Sequence, residues 1–207
     1  MIDLQDYFNP VCIESPEYSC LSGAAAFPHS ITIHTENNPV KEIGKYKIAI
    51  VGVPEGRNAP NDGSSKGPDS VREQLYKLAR IPGKIPIADL GNMKQGISIA
   101  DTIAGLADVI VLLMSENVFP VIIGGNSSVI PAIDKAFASQ NHKYTLASID
   151  SRIDYCHEKK EHDSFNYLNA IINNSKSFLA HYINVGCKVN EKGCVFVFFN
   201  ENFCFCN

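Results

Sequence analysis

The chain has 207 residues, of which 45% are hydrophobic and 19% charged, with a formal net charge of -4. This is enough for one ordinary domain with a sizeable core, and the balance is that of a soluble globular protein. Its lysines and arginines are spread out and form no basic stripe, so no nucleic acid is expected as a partner. No run approaches the ~20 apolar residues of a membrane span, and the acidic start at residues 1–6 lacks the apolar stretch of a secretory signal. A cytoplasmic location is the resulting expectation.

Residues 1–45 hold prolines at 10, 16, 28 and 39 and little periodicity, which reads as an N-terminal arm lying over a domain or as partly mobile chain. Residues 48–53 form a short apolar run closed by Pro54, the pattern of a strand buried on both faces. A polar loop over 55–67 follows. Its glycines lack the spacing of a phosphate-binding loop, and Arg57 or Lys66 at its rim is a candidate for meeting an acidic ligand group. Residues 68–80 have helical spacing with proline in the first turn. Further strands are expected at 85–90, 118–123, 145–149 and 182–185, and further helices at 97–117, 128–139 and 167–180. Strands alternating with helices imply βαβ units, a central parallel sheet and three αβα layers. Ligands of such sheets bind at the carboxyl ends of the strands, where the glycine-rich segments after Val53, Leu90, Ile123 and Ile149 fall.

The last stretch, 190–207, changes composition abruptly and is rich in cysteine and phenylalanine. It reads either as the product of a frameshift or truncation near residue 187 or as an apolar terminal hairpin packed on the sheet edge. The seven cysteines fit no disulfide framework, and Cys204-x-Cys206 lacks structural-zinc spacing, so reduced thiols are expected.

Three segments carry a family resemblance. Residues 50–54, their loop and Gly67-Pro68-Asp69-Ser70-Val71-Arg72 resemble the first strand, loop and helix start of the ureohydrolases, the arginase/agmatinase/formimidoylglutamase superfamily. Residues 118–128, with Gly124-Gly125-Asn126-Ser127-Ser128, are similar to that family's PxxxGGDHS segment, and Asp150-Ser151-Arg152-Ile153-Asp154 to its DAHxD segment. The ordered set spans residues 45 to about 186. The resemblance implies an arginase-like α/β fold, incomplete at its C-terminal side. It also implies an ancestral hydrolase that cleaves C–N bonds of linear amidines with two bridged manganese ions.

A metal-bound hydroxide needs enough carboxylate and imidazole ligands to fix both cations. By the resemblance, Asp150 and Asp154 keep ligand positions, whereas Ser127 and Arg152 stand where histidines belong and Asn126 where an aspartate does. The family's Asp-x-Asp-x-x-Asp segment has no counterpart after Asp163. Manganese, implied by the family, is therefore not expected to be held here. If the strand before Asp150 continues, residues 150, 152 and 154 share a face, which would set the Arg152 guanidinium between two carboxylates in place of a cation. Asn126, Ser128, Ser151 and His162 are pocket candidates. His162 is read either as a remnant of the family's substrate loop or as an exposed loop histidine, and His157 likewise. The expected partner is a small amidine or amino-acid-like ligand, with homo-oligomerisation left open. Three readings stand: a hydrolase acting on a substrate such as formiminoglutamate, a binding pseudoenzyme with the metals replaced, or a non-functional fragment.

Overall fold

The computed structural model describes residues 4–12, 26–57, 59, 63–80, 83, 85–156 and 164–187. His157, His162 and the 190–207 stretch lie outside the described residues. The elements in chain order are α1 (Leu4–Tyr7), β1 (Phe8–Asn9), β2 (Thr32–Ile33), β3 (Ile48–Val53), α2 (Gly67–Leu75), β4 (Ile87–Met93), α3 (Ile99–Ser115), β5 (Phe119–Gly124), α4 (Pro131–Ser139), β6 (Tyr144–Ile149), α5 (Tyr167–Ile172) and β7 (Leu179–Val185).

β3 is central because its apolar run can be buried on both sides. It pairs in parallel with β4 and with β5, in the register Ile50↔Asp89 and Ile50↔Val121. Ala49, Val51 and Val53 point to one face and meet Leu106, Val109, Ile110 and Leu113 of α3 and Ala132 and Ala136 of α4. Ile50 points to the other and meets Tyr76, just beyond α2, with Leu75 packed beside it. The two faces of β3 thus assign α3 and α4 to one layer and α2 to the opposite one. α3 begins at a reciprocal cap: Ser98 Oγ accepts from the Asp101 N–H, and the Asp101 carboxylate accepts from the Ser98 N–H.

The described part of the segment before residue 45 joins the sheet: β1 pairs antiparallel and β2 parallel with β4, and Phe8, Phe27, Ile33 and Val40 are buried. Two-residue strands carry no periodicity from which to predict them. Two expectations change. The helix expected over 167–180 stops at Ile172, because the Asn173-Asn174 turn has a better use. Asp134 of α4 accepts hydrogen bonds from Asn174 Nδ2 (2.9 Å), Ser177 Oγ (2.6 Å) and the Tyr144 hydroxyl (2.9 Å), so chain that would have stayed helical is tied down and starts β7 early. Lastly, the sheet is interrupted among the described residues. β1, β2, β4, β3 and β5 form one sheet, β6 and β7 a second, and no ladder joins β5 to β6.

Candidate functional site

The carboxyl ends of β3, β5 and β6 carry the candidate residues. Beyond β3, the Glu55 side chain is fully buried and is held by Arg57, whose Nε lies 2.9 Å from Oε1. Arg57 also donates to the carbonyls of Gly96 and Ile97 and to Thr102 Oγ1. Its donors clamp the loop to the start of α3, which corrects the expectation that it faces a ligand. The Arg57 contacts pull the Glu55 carboxyl below its ordinary pKa even though burial acts in the opposite direction.

β5 ends in Gly124-Gly125. A side chain at Gly125 would run into the carbonyl oxygens of Glu55 and Ser64, so the absence of a Cβ lets the two loops touch. Asn126 is committed on both sides of its amide. Nδ2 donates to the Glu55 carbonyl at 2.9 Å and, more weakly, to that of Arg57 at 3.3 Å, and Oδ1 accepts from the Ser128 N–H at 2.8 Å. Ser127 Oγ donates to the Ser164 carbonyl. The Ser128 side chain is buried. These three residues brace the turn and tie it to the segment before α5.

β6 ends at Ile149, one residue before the acidic segment, so residues 150–154 do not alternate as a strand. The expected alignment of three side chains on one face is corrected accordingly. Asp150, Ser151 and Arg152 are exposed and Asp154 is buried. Asp150 Oδ1 accepts from the Arg152 backbone N–H at 2.9 Å, a local turn contact. The Arg152 guanidinium lies 3.6 Å from Asp154 Oδ1 and stacks over the Phe165 ring, 4.5 Å from its centroid. Burial pushes the Asp154 carboxyl above its ordinary pKa, Arg152 acts against this, and Asp150 adds to it.

Spacing did not flag a polar group next to these residues. Ser148 Oγ and the Tyr182 hydroxyl are 2.7 Å apart, and Asn184 Nδ2 donates to Ser148 Oγ at 2.9 Å and to the Arg152 carbonyl at 3.1 Å. Ser148, Tyr182 and Asn184 share the inward parity of β6 and β7, which was the available signal.

The family model described as the arginase family matches residues 46–196. The chain belongs to the arginase family. In sequence it is 32% identical over 92 residues to a formimidoylglutamase from Clostridium tetani (strain Massachusetts / E88), an alignment covering 42% of this chain and 27% of that protein. In structure it is similar to the formimidoylglutamase of Bacillus subtilis subsp. subtilis str. 168, with a TM-score of 0.58 at 17% identity, covering 68% of this chain and 47% of that one. It is also similar to the Trypanosoma cruzi formiminoglutamase crystallised with Mn²⁺, with a TM-score of 0.63 at 16% identity, covering 72% and 55%. These likenesses establish an arginase-like fold built around a mostly parallel sheet. The chain spans about half the length of these solved relatives and about a quarter of the Clostridium protein.

The donors present do not fit the pair of manganese ions that the family implies. Mn²⁺ takes about six oxygen or nitrogen donors. Among the described residues, the acids at these positions are Asp154, already beside a guanidinium, and exposed Asp150. Ser127 and Asn126 are neutral and turned to backbone partners. Among the described residues no group of three or more His, Cys, Asp or Glu side chains converges. No helix of the described residues is long and apolar enough to cross a membrane.

Proposed function

We propose that this member of the arginase family is a metal-depleted, non-hydrolytic binding protein that retains the rim of the family pocket for a small amidine or amino-acid-like ligand. One observation carries the reading: Arg152 stands where the resemblance places a histidine ligand, and its guanidinium faces the surviving acid Asp154 at 3.6 Å. A fixed cation there repels an incoming metal ion and supplies charge to a carboxylate that lacks one. In this reading exposed Ser151 is the pocket residue, Asn126 and Ser128 brace the turn after β5, and Asp150 and Asp154 stand at vestigial metal positions. Elemental analysis after dialysis against excess Mn²⁺ tests it. The expected result is no retained manganese, and two tightly held ions per chain would overturn it.

The likeness to formimidoylglutamases favours a second reading, hydrolysis of the C–N bond of a linear amidine such as formiminoglutamate. Turnover of formiminoglutamate by the purified chain with added Mn²⁺ would establish that reading in place of the first.

A further inference from the structure

We propose that a cleft between α4 and the turn after α5 binds a free aliphatic α-amino acid as its zwitterion. Asp134 of α4 is 2% exposed and is held by neutral groups alone among the described residues. Its Oδ1 accepts from the Tyr144 hydroxyl at 2.9 Å and from Ser177 Oγ at 2.6 Å. Its Oδ2 accepts a single bond, from Asn174 Nδ2 at 2.9 Å. A carboxylate oxygen has room for about two donors, so Oδ2 keeps an open acceptor position. Buried charges are ordinarily paired with an opposite charge, and Asp134 has no such partner among the described residues.

The open position meets a cavity. A space of about 660 Å³, in the size range of small-molecule sites, lies along α4 and is lined by Asp134 and Asn174 but not by Tyr144 or Ser177. The Oδ2 edge is therefore the one turned toward it. The rest of the wall is mostly apolar, from Ile103 of α3, Ala138 of α4 and Phe178 just ahead of β7. Lys135 and Lys176 also line the cavity; both are exposed, and neither ammonium bonds another group among the described residues. Residues 134, 135 and 138 recur at helical spacing, so one flank of α4 presents the acid, a lysine and part of the apolar wall together.

These groups are held in place by the protein itself. Asn174 donates to Asp134 through Nδ2 and accepts the Lys176 N–H through Oδ1 at 3.0 Å, so one amide positions both the acid and the chain that carries the lysine. A buried acid, two unpaired lysines and an apolar wall complement one chemical class: an ammonium and a carboxylate on one carbon, with a hydrocarbon side chain. A plain anion would leave Asp134 uncompensated and bring a like charge toward it, and a plain amine would meet the two lysines. Asp134 and Ser177 bond Tyr144 and Leu179, the first residues of β6 and β7, which puts this acid at the amino ends of those strands. Residues 124–128 and 150–154 lie at the carboxyl ends, so occupancy of the cleft does not depend on what the metal positions hold.

Titration of the purified chain, followed by backbone amide NMR, compares L-leucine with two analogues that each lack one charge: isocaproate without the ammonium and isoamylamine without the carboxylate. Leucine, taken to about 10 mM to cover weak affinities, should shift the signals of Asp134, Ala138, Asn174 and Lys176. Each analogue should bind at least about tenfold more weakly. Asp134→Asn would disturb the bonds that hold the turn, so the mutational test falls to the exposed pair Lys135→Glu/Lys176→Glu. That variant should weaken leucine binding on the order of tenfold or more while keeping the unfolding midpoint of the parent. Unshifted signals with leucine, or unchanged affinity in the double variant, would overturn the proposal. So would isocaproate binding as well as leucine, which reduces the site to surface lysines, or isoamylamine doing so, which leaves the acid as the sole determinant. Shifts confined to residues 124–128 and 150–154 would overturn it too, by placing the ligand at the carboxyl ends of the strands.

Discussion

Arg72 of α2 grips Asp89 of β4 with two donors, Nε to Oδ2 at 2.9 Å and Nη2 to Oδ1 at 3.2 Å, and both side chains are almost completely buried. Arg72 Nη1 also donates to Asp69 Oδ1 and to the side-chain Oδ1 of Asn92. Asp89 in turn accepts from the Tyr76 hydroxyl at 2.8 Å and the Gly91 N–H at 2.9 Å. The pair pins the helix after β3 to the neighbouring strand, and every charge in it is matched. Removing one partner leaves the other ion buried and uncompensated. Arg72→Ala should therefore cost about 3–5 kcal/mol, and Arg72→Lys a large part of that because an ammonium cannot make the fork. Urea unfolding followed by circular dichroism checks both. A loss below about 1 kcal/mol for Arg72→Ala would mean that water enters the site freely.

The sequence showed β3, α3 and β5 because each buries a periodic apolar set. It also placed Asn126, Ser127, Asp150 and Asp154 at strand ends by their order in the chain. It could not show that Ile149 closes the strand, since a single Asx turn at Asp150 redirects the segment and the apolar pattern before it is unchanged. The early end of α5 was hidden for a similar reason: Asn174 and Ser177 answer to Asp134, forty and forty-three residues away. The roles of Arg57 and Asn126 also depend on partners in other loops, which spacing does not encode.

Gly125 has an ordinary backbone conformation, and its importance lies in the close approach of the Glu55 and Ser64 carbonyls. Gly125→Ala should push the 54–66 loop off the end of β5 and destabilise the fold by about 1–3 kcal/mol. Gly83, at a positive φ with nothing within 4 Å of a built Cβ, is the contrast. There the cost of alanine comes from backbone strain alone, about 1 kcal/mol. Thermal melts of the two variants should rank them in that order.

His34 is buried, and its Nδ1 accepts the Val40 N–H at 3.0 Å, so the folded state needs the neutral ring. Burial lowers its pKa, and the opposing pull of Asp89 is smaller. A histidine with a depressed folded pKa takes up its proton more readily in the unfolded chain, so its contribution is complete above the ordinary value of 6.5 and is lost as pH falls below it. Urea midpoints should be flat from about pH 8 down to about 7 and then decline toward about pH 5. In His34→Asn the part of that decline belonging to this ring should vanish. An unchanged slope in the variant would assign the acid sensitivity to other groups.

Asp154 behaves in the opposite sense. Burial is the larger influence on its carboxyl and raises its pKa, while the Arg152 guanidinium at 3.6 Å offsets part of the effect. A carboxyl with a raised folded pKa favours the folded state while protonated, and this contribution is lost as pH climbs from 3.8 through the raised value, so at neutral pH the ionised group is a burden on the fold. Asp154→Asn should then raise the melting temperature at pH about 7, with the gain shrinking as the pH approaches about 4. Arg152→Ala should lower stability by about 1 kcal/mol or less, because the guanidinium is more than half exposed and its stacking on Phe165 is solvent-screened. The same variant leaves Asp154 without its guanidinium while Asp150 stays exposed, so weak Mg²⁺ or Mn²⁺ binding should appear by calorimetry where none is expected for the parent. If Arg152→Ala gains no divalent binding and loses no stability, the pairing of Arg152 with Asp154 is incidental, and the metal-free reading would have to rest on Ser127 and Asn126 alone.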